Sequence, residues 1–543
     1  MNNSVFKLER PVNEPPREYR PGSEEVRALL GEVKRQSSIE VEIPLIIGGK
    51  EIRTGNVADV VMPHDHRHKL GFFHKVGEKE VEMAIEAAMA AREEWASLPW
   101  EERASVSLKA ADLISTKRRD LLNAATILGQ SKNIWQAEID SACEVADFLR
   151  FNPFNASEIF SASQPAQSCQ TLNRVEMRPL EGFVYTVTPF NFTAIACNLN
   201  MAPAILGNVT VWKPATTSIL SSYYLMQIYR EAGLPDGVIN FIPGSGELIS
   251  RIVLKHRYFA GLHFTGSNDT FNTLWREISD NLANYRSYPR IAGETGGKDF
   301  IFAHASADTD ELASAIVLGA FEYQGQKCSA SSRSYIPRSL WPEVRDKITE
   351  RVARIKTGDP ADPKNLMGAV IDEKSFDFIV SYIEEAKRSP DVEVITGGGH
   401  DKSKGYFIEP AVLLCRDPRY ATMETELFGP VMSVYVYNDD KFEETLKICD
   451  ETSVYGLTGA IFSRDKYASV KASEILKYAA GNFYINDKTT GAMVGQQPFG
   501  GSRASGTNDK VGSVFNLMRW LTPRAIKENY QPPADVDFPH MPK

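Results

Sequence analysis

Hydrophobic spacing divides the chain into stretches of different period. Leu45-Ile46-Ile47-Gly48-Gly49-Lys50-Glu51-Ile52 reads as a hairpin, with the two glycines as its turn. Helical spacing follows. Residues 80–95 carry a Val81, Ile85, Ala88 stripe, 103–128 are amphipathic, and 138–151 put Ile139, Cys143 and Ala146 on one side. Glu144 lies off that stripe, with Phe148 and Phe151 near it in helical register, and the pattern alone puts it on a solvated face.

From Gly182 the period changes. Apolar strands at 183–188, 209–212, 238–242 and 260–264 alternate with helices at 194–206, 219–232, 247–254 and one starting near Asp269. Such alternation predicts βαβ units on a parallel sheet. A second α/β set begins at Asp299-Phe300-Ile301-Phe302 and runs to about residue 485. Residues 525–543 are Pro-rich and polar, as a surface arm would be.

Composition narrows the class. With 543 residues the chain exceeds one core, so two or three domains are expected. A net charge of −9 and the lack of a Lys/Arg block argue against nucleic acid as a partner. No apolar run reaches the ~18 residues of a membrane span. The stretch Met1–Arg10 has no apolar signal core and carries an early acid, so a cytoplasmic enzyme is expected. The six cysteines are scattered without a C-x-x-C pair, which suggests neither zinc nor disulfides. His64-Asp65-His66-Arg67-His68 reads as a solvated turn rather than a metal site.

Candidate chemistry centres on Gly325-Gln326-Lys327-Cys328-Ser329, between a helical run ending at Phe321 and a strand at 334–336. A lone cysteine is commonly a small buried hydrophobe. Here Gly293-Glu294-Thr295-Gly296-Gly297-Lys298 lies about thirty residues earlier, so a thiol and a carboxylate on separate turns offer a nucleophile and a base. Ligands of parallel α/β sheets bind at strand C-terminal ends, which selects Thr188, Lys213 and Thr265-Gly266-Ser267. The last of these opens a helix whose free N–H groups suit a phosphate. Plain turns remain the alternative for Lys213 and for Gly266-Ser267. The run 293–299 lacks the residues of a Walker loop, and an NTPase is excluded.

Six segments in this order resemble the aldehyde dehydrogenase superfamily: Thr188-Pro189-Phe190-Asn191-Phe192, Val211-Trp212-Lys213-Pro214, Phe264-Thr265-Gly266-Ser267, 293–298, Gly325-Gln326-Lys327-Cys328 and Glu426-Leu427-Phe428-Gly429-Pro430. The resemblance covers about residues 45–520. Residues 480–488, 494–501 and 504–510, with Asn13-Glu14-Pro15, are similar to the subfamily acting on L-glutamate γ-semialdehyde.

This resemblance implies an α/β fold of aldehyde dehydrogenase type. A Rossmann-type NAD-binding domain would comprise 1–152 with 176–298, including an N-terminal arm at 1–45. An α/β catalytic domain would span 299–485. A β oligomerisation flap with a C-terminal arm would comprise 153–175 with 505–543, supporting a homodimer or higher assembly. Cys328 would be the nucleophile, Asn191 the side-chain oxyanion donor and Glu294 the base. NAD would meet Thr188, Lys213, Gly266, Ser267, Thr270, Glu426 and Phe428. Thr216 stands where many relatives carry a ribose-binding Glu, so some NADP tolerance is expected. The substrate would meet Glu144 at its ammonium, Phe192 and Phe499 along its aliphatic part, and Ser329, Gly491 and Ala492 at its carboxylate end, with Lys327 also among the substrate-binding residues. Gly491-Ala492 supplies backbone N–H groups without a hydroxyl, which implies a raised KM. The implied reaction is NAD-dependent oxidation of the semialdehyde to L-glutamate, with a separate proline dehydrogenase as functional partner. The alternative is an NAD(P)-dependent dehydrogenase of another aldehyde.

Overall fold

The computed structural model describes residues 8–162 and 164–542. The reading of the extreme N-terminus therefore falls partly outside the described residues. The expected hairpin forms as β1 (Leu45–Ile47) and β2 (Lys50–Ile52), with Gly48 and Gly49 both at positive φ in the turn. Beyond a helix at Glu24–Ser37, the first expected helix, α1 (Glu78–Ser97), buries the expected Val81, Ile85 and Ala88.

One expected helix is two: α2 (Trp100–Ser115) and α3 (Arg119–Gln130). The break needs neither Gly nor Pro. Ser115 Oγ donates to the Ala111 carbonyl (2.8 Å) and Thr116 Oγ1 to that of Asp112 (2.6 Å), so side chains compete for the helix's last acceptors. A second departure lies at Glu138–Glu144, a π-helical segment, before α4 (Val145–Ala162) resumes the α register. The side chain of its Asp140 is held by three tertiary bonds. It accepts from the backbone N–H of Thr193 (3.0 Å) and Ala194 (2.9 Å) and from Lys132 Nζ (2.7 Å).

The βαβ alternation then appears as expected: β3 (Thr171–Pro179), β4 (Phe183–Val187), α5 (Thr193–Ile205), β5 (Val209–Lys213), α6 (Ile219–Ala232), β6 (Ile239–Phe241), β7 (Phe259–Thr265), α7 (Asn268–Asp280) and β8 (Arg290–Glu294). Seven strands form one sheet in the order β8-β7-β4-β5-β6-β1-β2, and all pairings from β8 to β6 are parallel. After β9 (Asp299–Ala303), α8 (Thr309–Phe321) and β10 (Ser331–Pro337) come β11 (Val392–Thr396), β12 (Ala411–Cys415), β13 (Val431–Tyr437), β14 (Thr458–Phe462) and β15 (Asn482–Ile485). They make a second seven-stranded sheet, β11-β12-β13-β10-β9-β14-β15. Alternate residues of β9 feed separate cores: Phe300 and Phe302 on one face, Ile301 and Ala303 on the other. The change of sheet between β8 and β9 falls at residues 295–298, where a domain boundary is expected.

Finally, β16 (Leu521–Asn529) pairs antiparallel with the whole of β3. Strand β3 runs unbroken through residue 175, so the expected division there cuts a continuous strand. The histidine run also differs from expectation. Residues 65–68 open the strand Asp65–His74 rather than a solvated turn, and His64 is buried, 4.0 Å from Asp359 Oδ1. Sheet pairing with residues 57–62 supplies the ladder that local polarity did not announce. Among the described residues, no group of three or more His, Cys, Asp or Glu is arranged to hold a metal ion. Nor is any described helix long and apolar enough to cross a membrane.

Candidate active site

Cys328 sits in the loop between α8 and β10, beyond a strained turn. Tyr323, Gln324 and Gly325 have consecutive positive φ of 54°, 55° and 68°. Such backbone persists in non-glycine residues only when the surroundings impose it. Here Gln324 Nε2 donates to the carbonyls of Ser131 (3.0 Å) and Ala369 (2.9 Å), and Gln326 Oε1 accepts from the Ile371 N–H (2.8 Å). The turn delivers the buried Cys328 thiol to Glu294, the last residue of β8, with Sγ 3.5 Å from Oε1. Asn191 is buried beside them and donates from Nδ2 to the Gln326 carbonyl at 3.1 Å.

Burial pushes Glu294 up to about 7, opposed by its bond to the thiol and by Lys510. The Cys328 thiol is raised well above its ordinary value, by burial first and then by the charge of Glu294. A neutral thiol against a carboxylate that titrates near neutrality is a pair able to pass one proton.

Two chambers meet at this sulfur. One, of about 400 Å³, is walled by Thr188, Asn191, Lys213, Gly266, Ser267, Thr270, Glu426, Phe428 and Cys328, among others. It lies at the C-terminal ends of β4, β5 and β7, as the topology requires. Ser267 caps α7, its hydroxyl accepting from the Thr270 N–H at 3.4 Å. Lys213 is pushed down to about 8 by burial alone, with no acid offsetting it. Glu426, raised to about 7 by burial, accepts from the Gly297 N–H at 2.8 Å. Phe428, at φ 53°, meets Phe190 edge-on with centroids 5.7 Å apart. A desolvated ammonium, a capped helix start and a hydroxyl-accepting carboxylate fit the ribose and phosphate groups of a dinucleotide. Of the residues expected around it, only Thr216 is missing from the wall; it opens a 3₁₀ turn beyond the lining Ala215.

The second chamber, of about 120 Å³, is lined by Glu144, Phe192, Glu294, Lys327, Cys328, Ser329, Gly491, Ala492 and Phe499, and also by Ile139, Phe148, Met493 and Val494. Every residue expected to meet the substrate is here. Glu144 is not on a solvated face: the π segment turns it into this chamber, and burial, then Asp140, raises its pKa, while Lys132 opposes. Lys327 is paired with Glu322 at 2.8 Å.

Some supporting residues carry no local signal in the sequence. Lys132 is buried, paired to Asp140, and lies 3.8 Å above the Phe192 ring and 4.6 Å above that of Tyr323. Residues 505–507 pin the glycine-rich turn of Glu294: Thr295 N–H to Ser505 O (3.0 Å), Thr507 N–H to Gly293 O (2.9 Å) and Gly293 N–H to Thr507 Oγ1 (2.9 Å). Only the run of small residues at 504–507 hints at such close approach.

The model of the aldehyde dehydrogenase family matches residues 52–526, and the chain belongs to that family. It is 52% identical over 533 residues to the mitochondrial delta-1-pyrroline-5-carboxylate dehydrogenase of Dictyostelium discoideum, covering 98% of this chain and 96% of that one. The human mitochondrial protein of the same name is 47% identical over 531 residues, covering 98% and 94%. A crystal structure of the Mycobacterium tuberculosis delta-pyrroline-5-carboxylate dehydrogenase bound with NAD superposes with a TM-score of 0.96, at 46% identity and full coverage of both chains.

Proposed function

We propose that the protein oxidises L-glutamate γ-semialdehyde, the open form of 1-pyrroline-5-carboxylate, to L-glutamate with NAD⁺, following the oxidation of proline. The observation that carries this reading is the position of Cys328 in the walls of both chambers. A sulfur there reaches an aldehyde on one side and a nicotinamide on the other.

Thr188, Lys213, Gly266, Ser267 and Thr270 would hold the adenosine and phosphate portion of the cofactor, and Glu426 and Phe428 the nicotinamide end. Bound NAD⁺ supplies a cationic ring that accepts a hydride. In the second chamber the Glu144 carboxylate faces the substrate ammonium. Phe192 and Phe499 flank the aliphatic part. The Ser329 hydroxyl and the N–H groups of Gly491 and Ala492 meet the carboxylate, with Lys327 behind them. Cys328 attacks the aldehyde carbon as its proton leaves to Glu294. The resulting thiohemiacetal oxyanion is held by Asn191 Nδ2 and the Cys328 backbone N–H. Loss of hydride leaves a thioester on Cys328. Glu294 passes the thiol's proton on to solvent, then takes one from water as the hydroxide adds to the thioester, and returns that proton to the departing sulfur. Asn191→Ala is expected to lower kcat by about 10²-fold or more with little change in the KM for NAD⁺, as removal of one oxyanion donor does; steady-state kinetics check this.

The strand order within the two sheets supports assigning 1–152 with 176–298 to the cofactor and 299–485 to the thiol, with the β3–β16 ribbon as an oligomerisation flap. The proposal includes a homodimer in the cytoplasm and a proline dehydrogenase as the supplier of substrate. Light scattering of the 60.5 kDa chain tests the first. Relatives named mitochondrial make the matrix the rival compartment, which cell fractionation decides. The substrate assignment is tested by adding 1-pyrroline-5-carboxylate and NAD⁺ to the purified protein. Absorbance of NADH should rise, and far more slowly with propanal. A flat trace with the first and turnover of the second would refute the assignment.

A further inference from the structure

The loop at 491–499 supplies six residues to the wall of the substrate chamber, yet it belongs to no sheet until Phe499 pairs with Val511. A segment without a ladder needs other partners for its carbonyls. For Val494 and Gly495 they come from the far end of the chain. Asn13 Nδ2 donates to the Val494 carbonyl (2.9 Å), Arg10 Nη2 to that of Gly495 (2.9 Å), and Gln496 Nε2 donates to Asn13 Oδ1 (2.9 Å).

The same Asn13 amide also donates to Asp147 Oδ2 (2.7 Å), and the Glu14 N–H donates to Asp147 Oδ1 (2.7 Å). Asp147 stands on α4 between Glu144 and Phe148, both of which line the chamber. One half-buried side chain thus spends both amide hydrogens and its oxygen in tying the two walls together.

The arm is itself well anchored. Glu14 is held between Arg119 (2.6 Å) and Arg150 (2.7 Å). The Arg17 N–H (2.6 Å) and the Tyr19 hydroxyl (2.9 Å) both donate to Glu138, the first residue of the π segment, which is also paired with Arg119. Behind the loop, Gly495 at φ 78° packs on the Phe151 ring, where no Cβ fits, so the contact is close on both sides of Asn13.

We propose that Asn13 is a specificity-determining positioning residue. It fixes the distance between the Glu144 wall and the Gly491–Val494 wall, and so places the N–H groups that receive a substrate carboxylate. It touches neither the cofactor chamber nor the thiol. Its effect is therefore confined to aldehydes that carry an α-amino acid end. The kinetic part of this inference rests on the substrate assignment above.

The test compares wild type with Asn13→Ala and Asn13→Asp, the second preserving shape while replacing the donor. Asn13→Ala should raise KM for L-glutamate γ-semialdehyde by about tenfold with kcat within twofold, the scale expected for losing a few hydrogen bonds. KM for NAD⁺ and kcat/KM for propanal should stay at wild-type values. Hydrogen exchange followed by mass spectrometry should show faster exchange at 492–497 and unchanged exchange in β4, β5 and β7. An equal loss on both aldehydes, or unchanged exchange at 492–497, overturns the proposal. A wild-type enzyme that oxidises propanal and ignores the semialdehyde sinks the substrate assignment instead, and the exchange at 492–497 then decides the role of Asn13 alone.

Discussion

Cys328→Ala is expected to lower NADH production by at least about 10⁴-fold, a barrier increase of about 5.4 kcal/mol. The reason is chemical. Without the sulfur, an aldehyde in the second chamber has nothing to form the thiohemiacetal from, and hydride loss from a bare aldehyde would require a hydrated carbon. Folding should survive, because a buried thiol and a buried methyl are both small and apolar. NAD⁺ should still bind, since Lys213, the Ser267 cap and Glu426 are untouched. Stopped-flow absorbance and calorimetric titration of NAD⁺ together check the pair of outcomes. Turnover within tenfold of wild type would take Cys328 out of the nucleophile position.

Glu294→Gln separates the two halves of the reaction. The amide keeps the volume and still sits 3.5 Å from the thiol position, but it cannot take a proton from water. A burst of about one NADH per site is expected, slower than in wild type because the thiol has also lost its proton acceptor, followed by a steady rate about 10³-fold below wild type, within the range for loss of a general base. Quenched-flow with trapping of the acyl-enzyme measures it, and an unchanged steady rate would contradict the assignment. The pH profile follows from the same residue. With burial holding Glu294 at about 7, the carboxylate is protonated below that pH and cannot act as base, so kcat should climb as pH rises through about 7 and then level off. In Glu294→Gln that rise should vanish from the residual rate.

The expected α/β alternation was readable because strands buried on both faces, such as β4 and β9, spell near-continuous apolar runs. The chemistry was readable for a different reason. Glu294 and Cys328 each lie on a short glycine-bearing turn beside a strand, which carries its own signature, whereas Asn191 was indicated only by the resemblance. Glu144 was not readable from pattern. An α-helical wheel assigns it to solvent, and the wheel fails because residues 138–144 are π-helical, with the Asp140 side chain bonded to the start of α5. The histidine strand at 65–74 was missed likewise, since its partner at 57–62 gives it a ladder that its own polar residues do not predict. Lys132 gives no local hint of its place over Phe192, because that place exists only once α3, the π segment and α5 have packed.

By itself the sequence determined the alternation of apolar strands and helices that makes two α/β units, and the glycine-rich turns that bear the thiol and the carboxylate. These are local matters of period, backbone freedom and capping. Only the tertiary structure decided that Glu144 and residues 491–494 line one chamber, that Asn13 ties Asp147 to Val494, and that Ser505 to Thr507 grip the Glu294 turn. Those contacts join segments up to hundreds of residues apart. Hydrogen bonds and close packing between them act on distances that no window of neighbouring residues contains.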